Sequence, residues 1–229
     1  MDYSKHEKTK LLEHLMSFVS SNREKRFEDI IKHRTRHITV VLEDIFQPHN
    51  ASAVLRSCDL TGVQDVHIIE NGNDYNVNPE VALGSSKWLN LIKYNNKANN
   101  TLDTFNELRD KGYTIVATTP HKNNFDLDTL PIDKKVAVVF GTELTGLSDL
   151  AINNADEYLR IPMYGFTESY NISVSAALTL FTLTQRLRKS KINWQLDDDE
   201  ILDILLNWAR SSVSKSEVIE THFINKLAL

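Results

Sequence analysis

The sequence predicts an α/β protein in which a parallel sheet domain of about 150 residues carries helical extensions at both ends. Short apolar runs rich in Val and Ile recur between residues 38 and 161, patterns with helical spacing separate them, and both ends show helical periodicity alone. The chain has 229 residues, of which 41% are hydrophobic and 25% charged. This composition allows a full core and excludes collagen-like, low-complexity and wholly disordered proteins.

The N-terminal segment has the pattern of an amphipathic helix followed by a basic stretch. Apolar residues recur at intervals of three and four from Leu11 to Val19, with Lys and Glu between them. Residues 20–37 are polar and lead to the first strand. They form either a solvated helical extension or an RNA-docking arm, because six basic residues crowd this stretch. These are Arg23, Lys25, Arg26, Lys32, Arg34 and Arg36.

Alternating strands and helices are predicted across the middle of the chain. The predicted strands are 38–42, 66–69, 89–92, 113–117, 136–140 and 158–161. Their length and Val/Ile content are typical of strands buried on both faces. The predicted helices between them are 51–61, 101–110 and 147–153. Gly62 and Gly112 stand where two of these helices should end, and strands that alternate with helices indicate a parallel sheet.

The chain after Asn171 is predicted to be mostly helical. Residues 172–189 are apolar on a broad face and become basic in the last turn, which suits the helix dipole. A second helix over 197–212 opens with a cluster of acids, and an amphipathic segment over 216–228 follows. The apolar stripes of these helices must pack against the body of the domain or against a partner subunit.

Several common classes of protein are excluded by missing motifs. No G-x-G-x-x-G follows the first strand, and neither a P-loop nor a G-x-S-x-G elbow occurs. The single cysteine, Cys58, excludes an internal disulfide and a multi-cysteine zinc site, and no close histidine pair suggests a metal. No apolar run approaches the roughly 20 residues of a membrane span, and the N-terminus lacks a signal-peptide pattern. We therefore expect a soluble cytoplasmic protein without a metal.

Charge is unevenly distributed along the chain. The net charge of −5 argues against an indiscriminate nucleic-acid binder. Residues 1–36 nevertheless carry nine bases and six acids, and residues 186–191 carry four bases and no acid. Residues 37–185 hold ten bases and eighteen acids. The chain is thus an acidic body flanked by two basic segments, which mark where RNA would bind.

Three polar or glycine-rich segments follow predicted strands, at the sheet edge where parallel α/β proteins bind ligands. In residues 47–56, Pro48 is expected to stop the strand and Asn50 to cap the next helix. Arg56 follows on a helix that is otherwise small and apolar. Its guanidinium either pairs with Asp44 or Asp59, or offers a planar, bidentate contact to a phosphate.

The second segment, residues 138–148, is a Val-rich strand that ends in Gly-x-Glu-x-x-Gly. Gly141 and Gly146 would let the backbone approach a ligand closely, and Glu143 either accepts donors from that ligand or fixes the loop. A plain strand-to-helix turn capped by Ser148 is the alternative. The third segment, residues 161–177, passes through a Gly-containing loop into a helix that opens with Ser and Asn, which indicates a capped helix or a polar ligand site.

Together, in this order and spacing, the three segments closely resemble the motifs of the SpoU-type SPOUT RNA methyltransferases over about residues 38–189. The matching residues are Asn50 and Arg56 in the first motif; Phe140, Gly141, Thr142, Glu143 and Gly146 in the second; and Ile161, Pro162, Met163, Ser169, Asn171, Ser173 and Ser175 in the third. Tyr170 departs from the family, which more usually has Leu there. Within the family, the chain most resembles the branch that methylates the ribose of guanosine 18 in tRNA.

The resemblance implies a fold, a cofactor and a partner. Residues 1–37 and 190–229 would be helical extensions, and the methyltransferase domain at 38–189 would contain a C-terminal deep trefoil knot at about 136–189. S-adenosylmethionine would be held by loops 117–120, 140–146 and 161–170. The implied cofactor-binding residues are Thr118, Gly141, Ile161, Met163 and Tyr170. The protein would be a homodimer that acts on tRNA.

The resemblance also implies roles for individual side chains. In the family proposal, Arg56 assists removal of the ribose 2′-OH proton after contact with an RNA phosphate. Since a free guanidinium is effectively always protonated, phosphate positioning and charge stabilisation remain the alternative role. Asn50, Glu143, Ser169 and Asn171 would orient the arginine, the loops and the ribose. Residues expected to bind RNA are Arg23, Arg26, Arg34, Arg36, Arg186, Arg188 and Lys189.

Two other functions remain open at this point. The same chemistry could act on ribosomal RNA or on another tRNA position, although the chain lacks the separate N-terminal domain typical of the ribosomal enzymes. A catalytically silent RNA-binding or assembly protein would be expected to have lost Arg56 or to have a disrupted third motif. Neither change is seen in the sequence.

Overall fold

The computed structural model describes residues 3–45, 47–73, 75, 84–122 and 124–227. The chain forms two compact units. The sheet unit comprises Thr35–Trp194, and the terminal unit combines Met1–Arg34 with Gln195–Leu229.

The sheet unit is built on a parallel sheet of seven strands among the described residues. The strands are β1 (Ile38–Glu43), β2 (Asp65–Ile69), β3 (Asn90–Tyr94), β4 (Tyr113–Thr118), β5 (Phe125–Asp126), β6 (Lys135–Phe140) and β7 (Glu157–Arg160). Their order across the sheet is β3-β2-β1-β6-β4-β7-β5, and every observed pairing is parallel. The α/β class with a parallel sheet is therefore confirmed. Strand β5 was not predicted, because two residues carry no periodic signal.

Alternate residues of the central strands contribute to two cores. In β1, Val40 belongs to a cluster on one face of the sheet, and Val41 belongs to a cluster on the other. All six residues of β1 are buried, which explains why the strand reads as a continuous apolar run rather than an alternating one. Register places Val40 beside Val66 of β2 and Val138 of β6.

Helices cover both faces of this sheet. They are α3 (Pro48–Thr61), α4 (Thr101–Asp110), α5 (Asp149–Asn154) and α6 (Ile172–Lys189), with a 3₁₀ turn at Ser85–Lys87. Helices α3 and α6 contribute to the first core, and α4 and α5 contribute to the second. Gly62 ends α3 with φ of 84°, and Ser148 caps α5 by accepting a hydrogen bond from the Ala151 amide at 3.1 Å. The expected helix end at Gly62 is confirmed, and the Ser148 cap that formed the alternative for the second segment is present as well.

The terminal unit consists of helices from both ends of the chain. These are α1 (Lys5–Met16), α2 (Ser21–Ile31), α7 (Asp198–Ser212) and α8 (Ser216–Leu227). Leu11 and Leu15 of α1 pack with Leu206 and Ala209 of α7, although they are nearly 200 residues apart in sequence. Asp197 caps the start of α7 through a reciprocal capping box with Glu200, within the acidic cluster expected at the start of this helix. In the described part of the chain, no helix has the length and apolarity that crossing a membrane requires.

Strand β2 buries a histidine that makes the sheet unit sensitive to acid. His67 is 2% exposed, and its Nδ1 lies 3.0 Å from the hydroxyl of Tyr94. The Tyr94 hydroxyl in turn donates to Glu107 at 3.1 Å. Burial lowers the pKa of His67 from 6.5 to about 4, because desolvation disfavours the charged imidazolium.

Acidification is therefore expected to destabilise the sheet unit through His67. Below about pH 6.5 the unfolded chain binds a proton that the folded chain binds only near pH 4, so stability present above 6.5 is lost as the pH falls. The loss between about pH 7 and about pH 4.5 should be about 2 kcal/mol.

Urea unfolding at those two pH values measures this loss. His67→Gln removes the titrating group, so the variant should lose about 2 kcal/mol less than the parent over the same interval, whatever its stability at neutral pH. Carboxylates contribute equally to both proteins and cancel in the comparison. Equal losses in the two proteins would contradict the assignment.

Candidate active site

A cleft of about 490 Å³ opens at the carboxyl ends of strands β4, β6 and β7. Three loops line it, and each follows one of these strands: residues 118–122, 140–147 and 161–170, with the first residues of α6 closing one side. This is the edge at which parallel α/β sheets bind ligands, and the volume lies within the range of cofactor sites.

Seven of the predicted site residues line this cleft. They include the five predicted cofactor-binding residues, Thr118, Gly141, Ile161, Met163 and Tyr170, and two predicted catalytic residues, Glu143 and Ser169. The Thr118 hydroxyl donates to the carbonyl of Val139 at 2.8 Å, which ties the ends of β4 and β6 together. Asn50, Arg56 and Asn171 do not line the cleft.

Sequence reasoning missed part of the lining. His121 and Lys122 follow β4 and were not predicted as site residues, although their place after a strand end was a usable signal. The Lys122 ammonium lies 4.6 Å from the ring centre of Tyr158, so its side chain rests on β7. Glu168 and Asp149 add carboxylates to the same lining.

The loop after β6 is closed too tightly to carry a side chain at its first residue. A Cβ on Gly141 would lie 2.2 Å from the carbonyl carbon of Gly146, a backbone atom that cannot move aside by rotation. Thr142 and Gly146 exchange two backbone hydrogen bonds of 3.0 and 3.1 Å, and Gly146 has φ of 70°. The two glycines of the second motif therefore shape a narrow turn at the cleft.

Glu43 anchors the far end of this loop. It lies at the end of β1, is 2% exposed, and accepts hydrogen bonds from the amide and the hydroxyl of Ser148 at 2.9 and 2.8 Å. The Thr101 hydroxyl adds a third at 2.7 Å. These donors compensate the cost of burying the carboxylate. One glutamate at a strand end has no sequence signature, so it was not predicted.

A chain of polar side chains links the three motifs. Asn50 donates from Nδ2 to Oε1 of Glu143, and its Oδ1 accepts from Nδ2 of Asn171 at 3.3 Å. Asn171 caps α6, because its Oδ1 accepts from the amide of Ser173 at 2.8 Å. One residue from each of the three motifs thus takes part in this hydrogen-bonded network at the N-terminus of α6.

The expected role of Asn50 as the cap of α3 is wrong. Helix α3 begins at Pro48, which was expected only to stop the preceding strand, and its N-cap position is occupied by Gln47 without a side-chain hydrogen bond. Asn50 therefore lies inside the first turn, where its side chain is directed to Glu143 and to Oε1 of Gln47 at 3.1 Å. Proline is favoured in the first turn because its missing amide hydrogen has no helical acceptor there.

Arg56 is exposed on α3, in the second turn after Asn50. Within the described residues it makes no ion pair, and neither Asp44 nor Asp59 binds it. One oxygen of Asp44 instead accepts the backbone amides of Asn71 and Gly72 at 2.7 and 2.8 Å. Among the described residues, Arg56 therefore does not pair with an acid, which was the structural alternative for its role.

The predicted RNA-binding residues divide by exposure. In the terminal unit, Arg26 is exposed and Arg23 is half-buried, but Arg34 is only 2% exposed, with its guanidinium 5.3 Å from the ring centre of Trp208. A side chain this buried is not presented to RNA, which corrects the expectation for Arg34. In the sheet unit, Lys189 is exposed, whereas Arg36 pairs with Asp65 at 3.0 Å.

Two arginines near the end of α6 bind carbonyl groups of the sheet unit. Arg186 donates to the carbonyls of Leu127 and Leu130 at 2.6 and 2.7 Å, and Arg188 donates to the carbonyl of Thr61 at 2.7 Å. Burial lowers the pKa of Arg188. These two arginines therefore fasten α6 to the segment after β5 and to the C-terminal end of α3, a role that charge counting does not distinguish from RNA binding.

Comparison with known proteins places these features in a family. A family model described as "SpoU rRNA Methylase family" matches residues 37–181, which is more than half of the chain. A curated protein of Borreliella burgdorferi, named tRNA (guanosine(18)-2'-O)-methyltransferase, is 45% identical over 206 residues, covering 90% of this chain and 93% of that protein.

Solved structures show the same architecture. The crystal structure of the A. aeolicus TrmH/SpoU tRNA modifying enzyme superposes with a TM-score of 0.74 at 30% identity, covering 85% of this chain and 98% of that one. The methyltransferase AviRb from Streptomyces viridochromogenes, solved in complex with the cofactor AdoMet, has a TM-score of 0.56 at 19% identity, covering 71% and 62%. The second likeness concerns the fold alone.

Proposed function

Because the chain belongs to the SpoU rRNA methylase family, we propose that it transfers a methyl group from S-adenosylmethionine to the 2′-hydroxyl of guanosine 18 in the D-loop of tRNA. The observation that carries this proposal is the 45% identity, over 90% of the chain, to a relative named for that reaction. Although the family name refers to rRNA, the relatives of similar length are named for tRNA. The proposed place of action is the cytoplasm, where tRNA is available.

The cleft suits S-adenosylmethionine by size and by chemistry. Its volume of about 490 Å³ matches a ligand of this size, and its inner wall includes the buried apolar residues Phe140 and Leu159. A neutral adenine can be recognised by the backbone groups of the tight loop at Gly141, which needs no charged partner. The residues that would hold the cofactor are Thr118, Gly141, Ile161, Met163 and Tyr170.

When bound, the cofactor supplies a methyl group on a sulfonium, which is already a strong electrophile. The chain must therefore mainly position the ribose and stabilise its 2′-oxygen as the hydroxyl proton passes to solvent water. Ser169 and Asn171 would orient the ribose, and Asn171 is itself oriented by Asn50 and Glu143. These hydrogen bonds between Glu143, Asn50 and Asn171 fix the orientation of the Asn171 side chain before RNA binds.

Arg56 is assigned to the RNA phosphate and to charge stabilisation. It is exposed, and the described residues provide no acceptor for its guanidinium. A guanidinium remains protonated at neutral pH, so it serves poorly as a base and well as a planar donor to phosphate. Its fixed positive charge would stabilise the negative charge that develops on the 2′-oxygen.

The test is transfer of a labelled methyl group to unmodified tRNA, followed by mapping of the modified nucleotide. Label on the ribose of guanosine 18 is expected. Label on a base, or on another ribose, would refute the specific assignment, and transfer to ribosomal RNA alone would favour the ribosomal alternative. A catalytically silent RNA-binding protein would not bind S-adenosylmethionine in calorimetry.

A deep trefoil knot at about 136–189 is part of the proposal. Support comes from the way α6 is held to the segment that joins β4 to β6. Arg186 of α6 donates to two carbonyls of that segment, those of Leu127 and Leu130. The segment would thus form the loop through which the chain end passes, an exception to the rule against knots.

A homodimer is proposed from the exposed apolar face of α6. Val174, Leu178 and Phe181 are 43%, 40% and 62% exposed and follow one another at helical spacing. The opposite face of the same helix is buried, since Leu180 and Leu183 are fully covered by the sheet unit. A second copy of the chain would cover the exposed face.

RNA contacts are proposed for each unit by itself, at the exposed basic residues of the two basic segments. Arg26 and Lys189 carry the proposal, and Arg23 adjoins Arg26 on α2. The double variant Arg26→Gln, Lys189→Gln is expected to weaken tRNA binding and to reduce the slope of log K against log salt by about 2, because two phosphate contacts are removed. The affinity for S-adenosylmethionine should not change.

Filter binding of tRNA over a range of salt concentrations measures this slope. Lys134→Gln is the matched control, since Lys134 is exposed and lies outside the two basic segments. An unchanged slope in the double variant, or an equal change in the control, would contradict the proposed RNA contacts.

A further inference from the structure

The loop between β7 and α6 presents two aromatic side chains that the folded chain does not use. Tyr164 is 97% exposed and Phe166 is fully exposed. Gly165 between them has open space around it, since a Cβ there would meet nothing within 4 Å. In the described part of the chain, neither ring stacks on another aromatic group or on a cation. Both faces of each ring are therefore available to a ligand.

The same loop is not hydrogen-bonded to the rest of the protein. From Met163 to Tyr170, no backbone or side-chain group exchanges a hydrogen bond with any residue that the structure describes. Within the described residues, the loop's hydrogen-bonded anchors lie at its two ends, in β7 and at the Asn171 cap of α6. Few contacts mean a small cost for local rearrangement, so the loop can change shape when a ligand arrives.

The two rings stand at the rim of the proposed cofactor cleft. Met163, immediately before Tyr164, and Glu168, two residues after Phe166, both line the cleft. Another apolar side chain, Leu144 in the loop after β6, also belongs to the lining and is 96% exposed. Large apolar side chains therefore stand exposed to solvent around the opening of the cleft.

We propose that Phe166 and Tyr164 form a platform on which the base of the target nucleoside stacks when its ribose enters the cleft. This inference rests on the proposed function. The reacting 2′-hydroxyl must reach the methyl group inside the cleft, so the base attached to the same ribose lies near the rim. RNA-binding proteins recognise unstacked bases largely by stacking them on aromatic side chains.

The observations favour a base over a second copy of the chain as the occupant. The face of α6 proposed for the dimer lies on a regular helix whose opposite side is buried, and such preformed surfaces suit stable interfaces. The rings instead lie on a loop that has no hydrogen bonds to the described residues, so it can adapt its shape when the substrate provides contacts. An aromatic platform on an adaptable loop suits a flat ligand that arrives and leaves in each catalytic cycle.

Steady-state methylation of tRNA tests the proposal. Phe166→Ala, and more strongly Phe166→Ala with Tyr164→Ala, should lower kcat/KM for tRNA by about ten-fold to a hundred-fold, the effect of losing one stacked base. Phe166→Trp keeps a stacking surface and should stay within about three-fold of the parent. Phe18→Ala is the matched control, because Phe18 follows α1 in the terminal unit, is 55% exposed and should leave the kinetics unchanged.

Three further readouts separate stacking from other roles. Calorimetry with S-adenosylmethionine should give the same affinity for Phe166→Ala as for the parent protein. With 2-aminopurine at the target position of the tRNA, the parent should change the fluorescence on binding and Phe166→Ala should change it much less. Sedimentation should show the same mass for Phe166→Ala as for the parent, whereas Phe181→Ala should weaken association.

The outcomes distinguish a failure of the proposed function from a failure of the proposed stacking platform. If the parent protein transfers no methyl group to tRNA, the proposed function fails. If the parent is active and Phe166→Ala matches it in kcat/KM and fluorescence, the platform is refuted while the function stands. A shift of Phe166→Ala to a smaller mass, or a loss of its fold, would assign the ring to the interface between copies or to stability and would also overturn the proposal.

Discussion

Replacement of Arg56 by alanine is expected to lower the rate of methyl transfer about 100-fold to 1,000-fold, the usual effect of removing one charge-stabilising group. The affinity for S-adenosylmethionine should stay the same, because Arg56 does not line the cleft. Stability should also be retained, since the side chain is exposed and none of the described residues binds it. Single-turnover methylation at saturating tRNA, together with calorimetry of the cofactor, separates these quantities.

Arg56→Lys is the informative companion to this variant. Lysine keeps the positive charge but loses the planar fork that contacts two phosphate oxygens at once, so an intermediate rate is expected. Recovery of the full rate in the lysine variant would show that charge alone suffices. Unchanged methylation in Arg56→Ala would remove this residue from the mechanism.

Gly141→Ala is expected to have the second largest effect. The new Cβ would lie 2.2 Å from the Gly146 carbonyl carbon and 2.3 Å from the Leu147 amide nitrogen, so the loop backbone must move. Such overpacking against backbone should lower the free energy of unfolding by about 3 kcal/mol. Because the displaced loop lines the cleft, cofactor affinity should fall by about ten-fold or more.

Gly72→Ala is the matched control for this steric argument. A Cβ at Gly72 meets nothing within 4 Å, and its backbone does not adopt a positive φ, so the variant should resemble the parent. Urea unfolding and cofactor calorimetry on both variants measure the difference. Normal stability and normal cofactor binding in Gly141→Ala would show that the loop opens at little cost, contrary to its close backbone contact.

Local signals predicted most of the sheet unit. Buried parallel strands produce continuous Val- and Ile-rich runs, and helix ends carry residues chosen by backbone geometry, as Gly62 and Ser148 do. The bounds of α3 were predicted less well, because Pro48 can either stop a strand or open a helix. Strand β5 was not predicted, because its two residues are extended through pairing with β7 and not through a local sequence pattern.

The sequence predicted which segments form the candidate site, but it did not predict the hydrogen bonds that join them. The three strand-end segments were identified from glycine and polar residues that interrupt apolar patterns. That Asn50 bonds to Glu143 and Asn171, which lie 93 and 121 residues away, depends on which strands are neighbours in the sheet. Glu43 was missed for the same reason, since its three hydrogen bonds come from Ser148 and Thr101.

The sequence by itself determined the α/β class, the strand-end segments and the family resemblance, because these depend on short-range patterns of residue type. Only the tertiary structure decided which basic residues remain available. Arg34, Arg186 and Arg188 look equivalent to Arg26 and Lys189 in a charge count, yet the first three contact an indole ring or backbone carbonyls. A guanidinium satisfied by its own chain differs from a solvated one only through long-range contacts, which local sequence does not specify.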